Sequence, residues 1–245
     1  MLISIIMPYF RKKKYVKFSV KSILNQSYKN FELLIVYDDY KFNDLALINK
    51  IKNLDKRIKI IINKTNQGAG YSRNIGINHS KGNYIAFLDA DDIWKKDKLL
   101  KQINFMKKKG SKISHTSYEI INNKGLITGQ RKAHLMNFKK MIKSCDVGLS
   151  SVILKKNILN KNIKFPNLET KEDFVLWLKI TKKGINIDPL DINLMLWRNT
   201  ENSLSSSIIR KLMDGYAVYR KFLNFSRLKS FFYLAILSLN YLKKI

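Results

Sequence analysis

The sequence predicts an α/β fold in which a mostly parallel sheet is flanked by helices, followed by a mixed second half and a helical C-terminal extension. Over the first 92 residues, short apolar runs alternate with stretches that carry a helical apolar stripe, the pattern of parallel strands joined by helical crossovers. Two of these runs end in aspartates, at what would be the ligand-binding edge of such a sheet. With 245 residues, 45% of them hydrophobic, the chain can bury a sizeable core.

The first half contains four predicted strands. The apolar runs that predict them are Ile3 to Met7, Phe31 to Val36, Arg57 to Ile62 and Tyr84 to Leu88. The first strand is expected to stop at Pro8, because proline cannot donate to a ladder. Helices are predicted over Tyr15 to Gln26 and Phe42 to Leu54, and the last crossover carries the glycine-rich sequence NQGAGYSRNIGINHSKG.

The second half is predicted to mix strands and helices. A helix is expected from Ile93 to Lys109, closing at Gly110. Its predicted inward residues are Trp94, Leu99, Leu100, Ile103 and Met106. Further predicted elements are a β-hairpin of Lys112 to Ile121 with Leu126 to Thr128, a strand over Ser151 to Leu154, and a helix over Lys171 to Lys183. We expect one domain over 1–206, divided into 1–92 and 93–206, and a basic amphipathic helical extension over 207–245.

The formal net charge of +29 is extreme and has two explanations. Lys and Arg number 47 against 18 Asp and Glu. A Lys-rich, Asn-rich and Ile-rich composition can leave much of the lysine as solvated surface with no partner. The alternative is a polyanionic partner, either nucleic acid or an anionic membrane face.

Cysteine content and hydropathy favour a cytoplasmic protein. The single cysteine, Cys145, excludes an internal disulfide and suits a reducing compartment. The apolar start of the chain has neither a preceding basic region nor a small-residue cleavage site, so it predicts a first strand and not a signal peptide. No window approaches the roughly 20 apolar residues that a spanning helix needs.

Three carboxylates follow the fourth predicted strand directly. Asp89, Asp91 and Asp92 lie within four positions, where like charges raise one another's pKa values. A hard cation resolves this repulsion, because Mg²⁺ or Mn²⁺ is commonly held by one or two carboxylates, waters and substrate phosphates. The alternative is a solvated acidic loop that caps the next helix, with Asp92 or Asp97 near its N-terminus.

Two other stretches carry candidate chemistry. The glycines of the last crossover allow close backbone approach, and Arg73 near a helix N-terminus can meet a phosphate. Further on, Glu172 and Asp173 begin a strongly apolar helix. Carboxylates there either only complement the helix dipole or include a general base.

The chain resembles the inverting family 2 nucleotide-sugar glycosyltransferases, which have the GT-A fold. The resemblance lies in four stretches that occur in the family's order over roughly residues 3–184: SIIMPYF, SILNQSYKNFELLIVYDD, NQGAGYSRNIGINHSKGNYIAFLDADD and KEDFVLWLKITKKG. It implies that 1–92 binds a nucleotide-sugar donor, most simply a UDP-sugar, and that 93–206 receives the acceptor. One departure is the sequence Tyr40, Lys41 and Phe42, where the family has a small Gly-Ser-Thr turn.

The resemblance also implies roles for individual residues. Asp38 or Asp39 would hold the nucleotide base, and Arg73 would lie near the base and phosphates. Asp89 and Asp91 would form the DxD motif, with Asp91 on a Mn²⁺ or Mg²⁺ ion and Asp89 reaching the ribose beside it. The remaining residues of the implied donor site are Pro8, Gly68 and Ala90. The ED pair, Glu172 and Asp173, would supply the catalytic base.

The tail from Ile208 to Ile245 is basic and aromatic. It has eight Lys or Arg and one acid, Asp214. Such a helix can lie in the headgroup region of an anionic membrane, or it can pack on the catalytic domain or on a partner. The stripe pattern does not separate these alternatives.

Two classes of function follow from these observations. The first is a glycosyltransferase that moves a sugar to a saccharide or lipid-linked acceptor, in cell-surface polysaccharide assembly, at the inner face of the cytoplasmic membrane. The second is a basic nucleic-acid-binding protein, supported only by charge and aromatics and opposed by the acidic strand ends. A catalytically inactive relative of the enzyme is a third reading, less favoured because all the DxD and ED acids are present.

Overall fold

A computed structural model gives the fold of the protein and describes residues 1–200 and 208–242. Within these residues, nine strands form one sheet in the order β3-β2-β1-β4-β8-β6-β9-β5, with β7 paired to β6. The predicted boundary between 206 and 207 lies outside the described residues.

The first half is the parallel βα alternation that the sequence predicts. Its strands are β1 (Ile3–Tyr9), β2 (Phe31–Tyr37), β3 (Ile58–Ile62) and β4 (Tyr84–Phe87). Its helices are α1 (Val16–Leu24), α2 (Leu45–Lys52) and α3 (Ala69–His79). β1 pairs in parallel with both β2 and β4, and β2 pairs in parallel with β3. All four strands therefore point their carboxyl ends to the same edge.

The mixed second half is also confirmed. Its elements are β5 (Ile93–Trp94), α4 (Lys98–Lys109), β6 (Ile113–Ile121), β7 (Ile127–Arg131), α5 (Phe138–Met141), β8 (Ile153–Lys155), α6 (Glu172–Lys182) and β9 (Asp188–Arg198). β8 runs antiparallel to both β4 and β6, whereas β6 and β9 are parallel. β6 and β7 form the predicted hairpin, and β8 thus joins the two halves into one sheet.

The predicted end of the first strand at Pro8 is wrong, since β1 continues to Tyr9. The carbonyl of Ile6 accepts from Leu88 on the β4 side, and that of Tyr9 accepts from Asp38 on the β2 side. Pro8 therefore faces the β4 side, where the last pair is Ile6 with Phe87. Because β4 has no residue paired with Pro8 on that side, the missing N–H of the proline costs no hydrogen bond in the ladder.

Two predicted helix starts are also wrong. The helix predicted from Ile93 begins at Lys98, because Ile93 and Trp94 pair with β9 instead. Leu100, predicted to face inward, is exposed. The helix predicted from Phe42 begins at Leu45, since Phe42 has a left-handed backbone conformation (φ 54°). Strand β9 was not predicted; Pro189 and the aspartates in DPLDINLMLWR interrupt its apolar pattern.

The sheet separates two apolar cores. Residues of β1 alternate between them, with Ile5 on one side and Ile6 on the other. Helices α1, α2 and α4 cover the first side. Helix α6, the segment from Met136 to Phe165 and part of the C-terminal tail cover the second.

The tail packs on the domain through one face. It consists of α7 (Ile208–Ala217), a π-helical turn (Val218–Phe222) and α8 (Arg227–Leu242). Tyr219 is buried and donates to the carbonyl of Ile142 at 2.9 Å, and Asp214 accepts from the amide and hydroxyl of Thr170. Among the described helices, none is long and apolar enough to cross a membrane.

Candidate active site

The carboxyl ends of the parallel strands gather charged residues at one edge of the sheet. Arg11 and Lys12 follow β1, the aspartates at 38 and 39 follow β2, and those from 89 to 92 follow β4. The N-terminus of α6 approaches this edge from the second half. The sheet topology therefore brings together the acidic motifs that the sequence separates by more than 130 positions.

Arg73 of α3 links the two principal acidic motifs. Its Nη2 lies 2.7 Å from Asp89 Oδ1, and its Nη1 lies 2.6 Å from Glu172 Oε1. Burial disfavours the Arg73 cation, but the two carboxylates outweigh it and raise the pKa of the guanidinium. The resemblance implies a place for Arg73 near the base and phosphates. In the structure its guanidinium joins the DxD motif to the ED motif.

The packing around Arg73 leaves little space. Arg73 is 3% exposed, and its guanidinium carbon stands 5.5 Å from the centroid of the Phe165 ring. A Cβ added at Gly70, on the same helix, would lie 3.1 Å from Glu172 Cγ and from the Pro166 carbonyl oxygen. Helix α3 thus approaches the start of α6 closely enough for one side chain to bridge them.

The three clustered aspartates do not share one environment. Asp92 is buried, accepts from Ser150 Oγ at 2.6 Å and from the Arg198 amide at 2.9 Å, and so organises the turn. Burial raises its pKa, and Asp91 and Asp89 raise it further. Of the two residues in the capping alternative, Asp97 occupies the N-cap of α4 but makes no side-chain capping bond, and β5 separates Asp92 from that helix.

Asp89 and Asp91, unlike Asp92, pair with cationic side chains at the sheet edge. Asp91 Oδ2 is 2.6 Å from Lys12 Nζ, and burial raises the Asp91 pKa, with Lys12 opposing and Asp89 adding to the shift. The described residues form no group of three or more His, Cys, Asp or Glu side chains that could hold a metal ion. The carboxylates of Asp89 and Asp91 fit a Mg²⁺ or Mn²⁺ site that a diphosphate completes. Asp91 has a raised pKa and already pairs with the ammonium of Lys12.

Asp38 and Asp39 have different hydrogen-bond partners. Asp38 accepts from the amides of Gln67 (2.9 Å) and Gly68 (2.8 Å) and from Asn63 Nδ2 (2.7 Å), so it shapes the loop before α3. Asp39 instead lies 3.3 Å from Arg11 Nε. Of the two candidates for a base contact, Asp39 is the one not engaged by that loop.

The departure at residues 40–42 adds aromatic surface beside this position. Phe42 stacks on Tyr37 with ring centroids 6.4 Å apart, and both Tyr40 and Phe42 are about half exposed. Gly68 has a left-handed φ of 81°, which favours glycine at the start of α3. The sheet edge beside Asp39 thus has an aromatic rim.

The ED pair occupies the first turn of α6. Glu172 is held by Arg73, and Asp173 Oδ1 accepts from the Phe174 amide at 2.7 Å. Burial raises the Asp173 pKa, although Arg73 and Lys171 oppose it. Burial also raises the Glu172 pKa, against the pull of Arg73. A raised carboxyl pKa brings the group closer to the range in which a general base is effective.

Sequence reasoning missed three residues of this site. Lys12 pairs with Asp91, Ser150 Oγ accepts from the Asp89 amide at 3.1 Å, and Arg198 Nε donates to the Asp91 carbonyl at 3.1 Å. The basic run RKKK directly after β1 was a signal for Lys12. Nothing local marks Ser150 or Arg198, because tertiary packing alone brings them to the turn.

Comparison with known proteins decides the family. The model of glycosyl transferase family 2 matches residues 4–165. The chain belongs to this family. It is 34% identical over 223 residues to the Escherichia coli UDP-Glc:alpha-D-GlcNAc-diphosphoundecaprenol beta-1,3-glucosyltransferase WfgD, covering 90% of this chain and 86% of the relative. It is 30% identical to the putative teichuronic acid biosynthesis glycosyltransferase TuaG of Bacillus subtilis, covering 90% and 88%.

Solved structures agree on the fold of this glycosyltransferase. S. aureus TarS 1-349 in complex with UDP-GlcNAc superimposes with a TM-score of 0.73 at 21% identity, covering 96% of this chain and 71% of that one. The Pyrobaculum calidifontis mannosyltransferase PcManGT in complex with GDP-Man and Mn2+ gives 0.70 at 12% identity, covering 95% and 69%. The GT-A fold implied by the sequence is confirmed, and the nucleic-acid-binding alternative is not.

The central role of Arg73 in this glycosyltransferase predicts a large stability effect. Replacing Arg73 with Met should cost about 3–5 kcal/mol, because Asp89 and Glu172 lose the cation buried between them. Arg73 lowers the Glu172 pKa, so the variant raises that pKa further. The loss should therefore grow as pH rises through the pKa of Glu172 and shrink at lower pH, where Glu172 takes up a proton. Urea unfolding at pH 5 and pH 8 measures this dependence.

Arg57 provides the control for this experiment. It pairs with Asp55 at 2.7 Å on a more exposed surface, so Arg57→Met should cost about 1 kcal/mol or less. Equal losses in both variants would contradict the bridging role of Arg73.

Proposed function

We propose that the protein transfers a hexosyl or N-acetylhexosaminyl group from a UDP-sugar to the hydroxyl of a saccharide or lipid-linked acceptor, with inversion at the anomeric carbon. The observation that carries the proposal is the Arg73 bridge, which fixes the DxD aspartate Asp89 next to the ED glutamate Glu172. The bridge supports the proposal because it holds the proposed donor-binding aspartate next to the helix turn that carries the proposed base. The relatives named above support a role in cell-surface polysaccharide biosynthesis, such as O-antigen or capsule.

The donor lies along the edge formed by β1, β2 and β4. Asp39 is proposed to contact the base, and Asp38 to hold the loop at Gly68 that borders it. Asp89 is proposed to reach the ribose. Pro8 and Ala90 supply the adjoining backbone.

The diphosphate is proposed to meet a divalent cation held by Asp91 with Asp89. When bound, Mn²⁺ or Mg²⁺ neutralises negative charge on the leaving nucleoside diphosphate. Lys12 lies on the same carboxylate at 2.6 Å. Its flexible stem allows the ammonium to move from Asp91 to a phosphate oxygen.

Asp173 is the proposed general base. It takes the proton of the acceptor hydroxyl as that oxygen attacks the anomeric carbon, and a single displacement with one base inverts the centre. Glu172 is engaged by Arg73 at 2.6 Å. It therefore positions the first turn of α6, and Asp173 with it.

The tail is proposed to bring the enzyme to an anionic membrane, at the cytoplasmic face where a lipid-linked acceptor would be presented. One stripe of α8 is apolar and exposed: Leu228, Phe231, Phe232, Ala235, Leu239 and Leu242. Leu228 is 84% exposed, Phe231 is 60% exposed and Phe232 is 61% exposed. Basic residues on α7 and α8, such as Lys211 and Arg227, complement acidic headgroups.

Metal-dependent donor binding provides the test of the site. UDP at about 100 times its Kd should stabilise the protein by roughly 2.7 kcal/mol, and the shift in melting temperature should require Mn²⁺. Asp91→Asn keeps the side-chain size but removes the charge, so the Mn²⁺-dependent shift should be lost while the fold persists. Asp97→Asn, which changes an acid that makes no capping bond, should retain it. An unchanged Mn²⁺ requirement in Asp91→Asn would show that the metal assignment is wrong.

Replacement of Asp173 separates catalysis from binding. Asp173→Asn should lower kcat by about 10² to 10⁴ with a nearly unchanged Kd for UDP, because proton transfer matters only in the transition state. Glu172→Gln should lower kcat less. If Asp173 merely complements the helix dipole, the variant loses roughly 0.3–1 kcal/mol of stability and keeps a normal kcat. Measuring kcat and Kd on one folded sample distinguishes these results.

Membrane contact is tested with matched phenylalanines. Phe232 on α8 and Phe18 on α1 are each 61% exposed. Phe232→Ser should weaken binding to vesicles of phosphatidylglycerol and phosphatidylethanolamine about tenfold, since burying such a ring contributes roughly 1.5–3 kcal/mol. Phe18→Ser should change it less than twofold. Vesicle cosedimentation at two salt concentrations measures both, and equal effects would rule out α8 as the binding face.

A further inference from the structure

A cavity separate from the donor site lies between the domain and α8. Its volume is about 370 Å³, and it is lined by His134, Met136, Lys140, Lys143, Ser144, Asp146 and Asn240. Asn240 of α8 donates to the Lys143 carbonyl at 3.0 Å. The cavity thus forms where the tail docks on the segment that follows the β6–β7 hairpin.

The lining is suited to a phosphorylated ligand. Lys140 and Lys143 are exposed, and over residues 1–200 and 208–242 neither has a carboxylate within ion-pair distance. Among the described lining residues, the two ammonium groups outnumber the carboxylates, since Asp146 is the one acid there. Lysine is a common phosphate-binding residue because its ammonium is a mobile point charge.

The cavity lies near the active site. Ser150, whose hydroxyl contacts the Asp89 amide and the Asp92 carboxylate, is four positions after Asp146, so their Cα atoms lie at most about 14 Å apart. Burial raises the pKa of the neighbouring Cys145 thiol, and Asp173 raises it next. Helix α5, which carries Lys140, packs on α6, which begins with the ED pair. Lining residues of the cavity are therefore close to both acidic motifs.

The position also fits the geometry of a lipid-linked substrate. Asn240 lies on α8 beside Leu239 and Leu242, which belong to the exposed apolar stripe proposed to contact the membrane. A ligand in the cavity therefore contacts the helix that carries this stripe, and through Lys140 it also contacts α5, which packs on α6. A plain saccharide has no anionic group that would pair with the two lysines.

We infer that this cavity binds the diphosphate of a polyisoprenyl-diphosphate-linked acceptor, with Lys140 and Lys143 as its phosphate ligands. The inference rests on the proposed function and selects the lipid-linked acceptor over the plain saccharide. Two relatives in Escherichia coli, including WfgD, are named for GlcNAc-diphosphoundecaprenol. The cavity supplies a place for such a diphosphate that is distinct from the donor diphosphate site.

Farnesyl diphosphate is the probe, because it carries the diphosphate and an isoprenoid chain but no sugar. Its Kd is measured by calorimetry on the full chain with saturating UDP and Mn²⁺, so that the donor site is occupied. Lys140→Gln/Lys143→Gln should weaken binding at least tenfold. Lys132→Gln/Lys139→Gln removes the same charge from exposed lysines outside the cavity and should change Kd less than twofold.

Two further ligands separate the sources of affinity. Inorganic pyrophosphate should bind more weakly than farnesyl diphosphate, and the binding of farnesol should not respond to the lysine substitutions. Equal weakening in both double variants, no binding to the wild type, or equal affinity for pyrophosphate and farnesyl diphosphate would overturn the inference. The Mn²⁺-dependent melting shift with UDP is recorded on the same samples. If the wild type shows no Mn²⁺-dependent shift with UDP, the proposed function itself is contradicted. If the wild type shows this shift but does not bind farnesyl diphosphate, only the cavity assignment is contradicted.

Discussion

The buried guanidinium of Arg73 is the interaction on which the rest of the site depends. A cation with 3% exposure is stable only when its charge is compensated, and Asp89 and Glu172 provide that compensation at 2.7 and 2.6 Å. Each carboxylate, in turn, is held close to the other by the cation. The bridge joins α3, the turn after β4 and the start of α6, so the parallel first half and the mixed second half share one electrostatic centre.

The acids around this centre divide into two kinds. Asp38 and Asp92 turn inward and accept from backbone amides, so they shape the loops at the sheet edge. Asp39 and Asp91 face the cations Arg11 and Lys12, which follow β1. Loops that are fixed by Asp38 and Asp92 hold Asp39 and Asp91 in place. Burial raises the pKa of Asp91, and Asp89 adds to that rise. A cation is therefore favoured beside Asp91, where Lys12 lies at 2.6 Å.

The C-terminal tail has one face that packs on the domain and one face that is exposed. Tyr219 and Leu237 pack into the core below α6, while the stripe that contains Phe231 and Phe232 remains exposed. The two alternatives left open by the sequence, packing on the domain and contact with a membrane, therefore do not compete for the same surface. The packed face also lines the cavity through Asn240.

The sequence by itself determined the parallel βα half, the acidic strand ends and the ED helix, because hydrophobic periodicity and local motifs act over a few residues. It also identified the family correctly. Only tertiary structure decided that β1 passes through Pro8, that Ile93 and Trp94 form a strand with β9, and that Arg73 bridges two motifs. These features depend on partners up to about a hundred positions away: Pro8 is tolerated because the pairing of β1 with β4 ends at Ile6, on the side that Pro8 faces, and Arg73 is stable because folding brings Glu172 to it. Long-range pairing of this kind leaves no mark on the local residue pattern.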